Sequence, residues 1–195
     1  MTRTRFLVLL LLSTGAWSAP SAANAQKKIT FPDDGCADRP SSGARLEIQC
    51  RYIGSPSGIR TYELLHGPSH RKLMTFIRSV EILESRDRTI FAVNSHEGSN
   101  YTNCYIFRDP MHPAKTLSLA AKWAPLRATA PRQFRRRIVS ADHEYYTCTR
   151  WHAGILTVSA RWGSPDGSWV VGTTRLLPTG AMEKPSFGIE VGERE

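Results

Sequence analysis

The chain reads as a single, disulfide-stapled, mainly antiparallel β domain, a sandwich or small barrel carrying one or two short helices. Three observations predict this. Apolar Leu46, Ile48, Cys50 and Tyr52 alternate with polar Arg45, Glu47, Gln49 and Arg51, the period-two pattern of a half-buried strand. Two nearly identical loops, Gly-Ser-Pro-Ser-Gly at 54–58 and Gly-Ser-Pro-Asp-Gly at 163–167, each separate two β-type runs. Four cysteines, an even number, stand behind a leader of secretory type.

That leader comes first in chain order. Arg3 and Arg5 give a positive start, residues 6–12 are an unbroken apolar core, and Ala23-Asn24-Ala25 supplies a small-x-small cleavage site before Gln26. Residues 1–25 are therefore expected to be a signal peptide, and the mature protein periplasmic or secreted. A bilayer span needs about 20 apolar residues, so no transmembrane segment is expected after cleavage. No cysteine stands at the cleavage point to carry a lipid anchor. In an oxidising compartment Cys36, Cys50, Cys104 and Cys148 predict two disulfides, and the nearer partners in sequence give Cys36 with Cys50 and Cys104 with Cys148. The wide spacing offers no C-x-x-C redox or zinc pattern.

Residues 26–43 form a turn-rich lead containing Pro32, Asp33, Asp34, Gly35 and Pro40, with little regular structure expected. A β domain then runs over 44–177. The alternating strand and a second at 59–65 make a hairpin across the 54–58 loop. Over 69–84, Leu73, Phe76, Ile77, Val80 and Leu83 lie close to helical spacing with Ser69 as N-cap, which predicts a helix; Met74, Phe76, Val80 and Ile82 also fit a strand. Short strands follow at 89–94 and 103–107. Four prolines make 110–131 a long connection with a helical piece near 117–123. Strands are expected at 138–141 and 144–152, then at 155–162 and 168–177 around the second Gly-Ser-Pro loop. The remainder, 178–195, reads as an irregular tail in which Phe187, Ile189 and Val191 could supply an edge strand.

Composition bounds function only loosely. The formal charge of +9 becomes +7 when the leader, which holds two arginines and no acid, is removed. A basic surface favours anionic surroundings: phospholipid head groups, lipopolysaccharide, acidic polysaccharide, an acidic protein or, as a lesser candidate, nucleic acid. Basic residues are densest at Arg132, Arg135, Arg136 and Arg137, with Phe134 among them. Guanidinium groups bind phosphate and carboxylate bidentately, and Phe134 could add an apolar contact. If 135–138 were extended, Arg135 and Arg137 would share one face and Arg136 the other. A solvated cluster protecting a sheet edge explains the same residues.

No catalytic or cofactor motif stands out. His66 and His70 are four apart, but Gly67 and Pro68 interrupt them and no glutamate follows His66, so the zinc-hydrolase template fails. Neither Gly-Ser-Pro loop has the central serine of a nucleophile elbow or the Gly-Lys-Ser/Thr ending of a P-loop. Tyr145, Tyr146, Trp151, Trp162 and Trp169 could line an aromatic sugar- or peptide-binding surface, although core packing explains such residues more often. No metal or cofactor is expected. The sequence thus favours a non-catalytic exported binding or accessory protein that engages an anionic envelope component or acidic partner protein through the basic segment. The alternatives are a secreted hydrolase using His66, His70 and His143, and a secreted inhibitor or effector of a partner enzyme.

Overall fold

The computed structural model describes residues 28–31, 39–40, 46–53, 59–87, 89–109, 115–164 and 166–191. The leader, Cys36, His112, the 54–58 loop and Pro165 lie outside the described residues. The described residues form two sheets, and neither closes into a barrel. The smaller consists of β2 (Arg39–Pro40), β3 (Leu46–Ile53), β4 (Ile59–His66) and β5 (Arg71–Phe76) in that order, all antiparallel. The larger runs β1 (Lys28–Phe31), β6 (Ser79–Glu84), β7 (Phe91–His96), β8 (Tyr101–Phe107), β10 (His143–His152), β11 (Ile155–Gly163), β12 (Ser168–Leu176) and β13 (Ser186–Val191), with β9 (Leu117–Ser118) also paired to β8. Helices α1 (Leu119–Arg127) and α2 (Arg132–Val139) fill the crossover from β8 to β10.

Both hairpins around the Gly-Ser-Pro loops form as the alternation predicts, and β13 pairs with β12 through Phe187 and Ile189. Three expectations fail. Residues 69–84 are not a helix but the strands β5 and β6, because the Gly67–His70 turn, with both residues at positive φ, reverses the chain into a hairpin with β4. The stretch 135–141 is helical up to Val139 rather than extended: Phe134 and Ile138, four apart, both bury against the core, and Pro131 stands just before the first turn. The lead at 26–43 contributes two short strands, β1 on β6 and β2 on β3.

Alternation along β6 and β7 feeds two cores. Val80, Ile82, Phe91 and Val93 face the smaller sheet, where they meet Leu46, Ile48, Tyr62, Leu64 and Phe76 in a sandwich contact. Leu83 and Ala92, one residue out of phase, face a second core built with α1, α2 and the inner face of β10–β12. Trp123 of α1 is completely buried there, edge-on to Trp162 at 5.6 Å and to Phe187 at 6.2 Å. Its ring lies so close over β12 that a Cβ on Gly172 would sit 2.8 Å from it, so a glycine is required at that position.

The junction of β8 and β10 holds the two halves of the large sheet together. Their parallel pairing covers only Glu144 with Tyr101 and Tyr145 with Thr102. Beyond it the strands part, and the Cys104–Cys148 disulfide spans the gap with Cα atoms 6.0 Å apart. Asn94 of β7 completes the junction: its amide donates to the Cys148 carbonyl at 2.9 Å and accepts from the Cys148 N–H at 2.8 Å, standing in for a neighbouring strand. On β8, Asn103 fixes the start of α1, donating to Ser118 Oγ and accepting from the Ala120 N–H, both at 3.0 Å. No described cysteine is free and Cys50 is itself disulfide-bonded, while Cys36, the partner expected for it, lies outside the described residues.

Candidate functional site

Because 132–139 is a helix, its arginines are redistributed. At 3.6 residues per turn Arg132, Arg135, Arg136 and Val139 share one face, and Phe134 and Ile138 occupy the opposite one. The outward face is in solvent: Arg132, Arg135 and Arg136 are exposed, and Val139 is 86 % exposed. Phe134, expected to offer an apolar contact to a ligand, is instead buried as the anchor, 6.4 Å from the ring of Phe187. Its place on the inward face follows from the same periodicity.

Arg137 falls on the flank and is already engaged. It donates through Nη1 to Ser168 Oγ at 2.6 Å and pairs through Nη2 with Asp166 at 3.5 Å, tying α2 to the second Gly-Ser-Pro loop. The Ser168 hydroxyl and backbone N–H, with the Arg137 charge, hold the Asp166 carboxyl below the usual carboxylate range. Arg135 gives its Nε to the Ala130 carbonyl at 2.8 Å. Among the described residues no carboxylate lies within ion-pair distance of Arg132, Arg135 or Arg136. The basic site is thus Arg132, Arg135 and Arg136; Val139 belongs to it as well, and the i, i+3, i+4, i+7 spacing from Arg132 is the signal that would have found it.

The histidines are not brought together. His66 and His70 border the turn between β4 and β5 in the smaller sheet, where His66 packs on Phe91 and His70 pairs with Glu47 at 2.9 Å. His143 opens β10 in the larger sheet, bonded to Asp142 at 2.8 Å. Among the described residues no three histidine, cysteine or carboxylate side chains gather in a metal-holding cluster. The aromatic set divides as well. Tyr146 and Trp162 are completely buried and Trp151 donates to the Leu83 carbonyl, whereas Tyr145 and Trp169 stack at 5.3 Å on the outer face with Arg161 over the Trp169 ring.

A shallow groove between β5 and β8 has Leu73, Met74, Phe76 and Phe107 on its walls. At its mouth the Tyr105 hydroxyl donates to Glu97 at 2.7 Å, and burial together with that bond pushes the Tyr105 pKa up to about 12. Glu97 and Tyr105 are the only titratable groups lining it among the described residues. A protonated phenol bonded to a carboxylate holds the strand end in place rather than moving a proton near neutral pH.

No known family profile, no curated protein and no solved structure matches the chain.

Proposed function

We propose that the mature protein is an exported, non-catalytic binding protein, periplasmic or secreted, that engages an anionic envelope component or an acidic partner through the outward face of α2. One observation carries this reading. Three arginines stand on one exposed helical face without internal carboxylates, on a helix whose opposite face is fixed in the core by Phe134 and Ile138. A cation paired within its own domain gains less from an external anion than one that is unpaired, and a helix anchored by its apolar side presents its charges in a fixed array. The disulfide Cys104–Cys148, and the lack among the described residues of any helix long and apolar enough to cross a membrane, are compatible with export.

The test uses the mature protein with polyglutamate and phosphatidylglycerol vesicles as anionic probes, titrated over a range of salt. Arg132→Ala/Arg135→Ala/Arg136→Ala is expected to lose most of the binding to at least one probe and to flatten its salt dependence, while His70→Ala and His143→Ala bind as before. Unchanged binding by the folded arginine variant, or loss of binding only in the histidine variants, overturns the reading.

A further inference from the structure

The exposed face of α2 is not purely cationic. Val139 projects from the C-terminal end of the arginine stripe, in an angular position between Arg135 and Arg132 on the helical wheel. An apolar side chain that is 86 % exposed inside a cluster of unpaired arginines serves neither solubility nor the core.

The neighbouring end of the sheet continues the pattern. Residues 187, 189 and 191 of β13 point to one side of the strand, the side on which Phe187 meets Phe134 of α2. Phe187 is covered by the helices, Ile189 is 49 % exposed and Val191 81 % exposed. These two stand on the sheet face at the foot of α2, below its outward arginine face. Val191 is the register partner of Ser168, and Ser168 is the residue that Arg137 holds. Of the four large hydrophobic residues exposed among the described residues, three, Val139, Ile189 and Val191, thus lie on α2 or on the strand end beside it.

Resting on the reading above, we infer that this surface docks on a bilayer rich in anionic phospholipid, with Arg132, Arg135 and Arg136 at the phosphates and Val139 reaching into the boundary between head groups and acyl chains. Charge complementarity selects the anionic lipid, and Val139 among the cations gains apolar contact from a bilayer that a soluble polyanion such as polyglutamate does not offer. Phe134 and Ile138 are committed to the core, so the helix lies on the surface with its arginine face down and does not insert. Attachment is shallow and reversible.

Co-sedimentation of the mature protein with phosphatidylglycerol and phosphatidylcholine vesicles tests this, with polyglutamate as a non-bilayer anion. The expected result is binding to phosphatidylglycerol and not to phosphatidylcholine, lost in Arg132→Ala/Arg135→Ala/Arg136→Ala. It should weaken roughly tenfold in Val139→Ser, whose charge is unchanged. Thermal unfolding of the serine variant, expected to match the parent, shows that the loss is local. If the serine variant binds vesicles as well as the parent, or if the protein binds polyglutamate through the arginines and ignores vesicles, the bilayer proposal is overturned while the basic-face reading stands. If neither probe responds to the arginine variant, both fall.

Discussion

Arg127 and the arginines of α2 follow one another closely in sequence and are put to opposite uses. Arg127, at the end of α1, pairs with Glu144 of β10, which also accepts from the Tyr146 hydroxyl at 2.7 Å; that hydroxyl in turn accepts from Trp162 Nε1 at 3.2 Å. The guanidinium lies against the rings of Tyr146 and Trp162, 5.5 and 5.8 Å from their centroids. Arg127 is spent on structure, closing a half-buried polar chain over the second core. Arg132, Arg135 and Arg136 have no carboxylate partner among the described residues. Net charge is thus a poor guide to a binding surface, and the informative quantity is the charge that the fold leaves uncompensated.

The largest expected effect comes from breaking the clamp that holds β10, and with it Glu144, against β8. Removal of Cys104–Cys148, which closes a loop with a sequence separation of 44, should cost about 4 kcal/mol by the loop-entropy relation, read by urea unfolding of the parent and of Cys104→Ala/Cys148→Ala without reductant. Thiol titration of the denatured, unreduced protein should find none free; titratable thiols would remove this half of the account. Next in size is Glu144→Ala, which leaves Arg127 and Tyr146 without their acceptor. A loss of about 2 kcal/mol is expected, below the range for fully buried pairs because both side chains are about one-third exposed or less.

Arg137→Ala should cost about 1 kcal/mol at neutral pH through its bond to Ser168. Its pH dependence follows from Asp166, whose folded pKa is depressed. That contribution is complete above the ordinary carboxylate range and is lost as pH falls through the depressed value. The stability gap between parent and variant should therefore narrow in acid, and a gap that widened there would contradict the Arg137–Asp166 contact. Smallest of all, replacing Arg132, Arg135 and Arg136 together should cost about 0.5 kcal/mol, nearly all of it the Arg135 Nε bond to the Ala130 carbonyl, because the exposed charges themselves contribute little to folding.

The contrast between the two arginine groups was only partly legible in the sequence. Hairpins were legible: Leu46 and Ile48 of the first hairpin and the runs around the second Gly-Ser-Pro loop bury one face against near neighbours, and alternation reports that directly. The segment 69–84 misled because Leu73, Phe76, Ile77, Val80 and Leu83 mimic helical spacing across what is a bend between strands facing different sheets. The density of arginine in 132–137 was legible, but its geometry was not, since the anchoring pair Phe134 and Ile138 declares itself only once the segment is taken as helical. Which arginines are compensated depends on Glu144, Asp166 and Ser168, brought in by strands 17 to 31 residues away. No local pattern carries that information, and the Asn94 contact to Cys148 is equally long-range.

The central claim, that uncompensated charge on α2 and not total charge makes the binding surface, has a direct test. Binding to phosphatidylglycerol vesicles and to polyglutamate is compared for the parent, for Arg132→Ala/Arg135→Ala/Arg136→Ala, and for Lys115→Ala/Arg150→Ala/Lys184→Ala, which removes the same charge from exposed positions outside α2. The account predicts that the α2 variant loses its binding while the charge-matched variant keeps nearly all of it. Equal losses in the two variants would show that net charge alone attracts the anion, and would contradict the account.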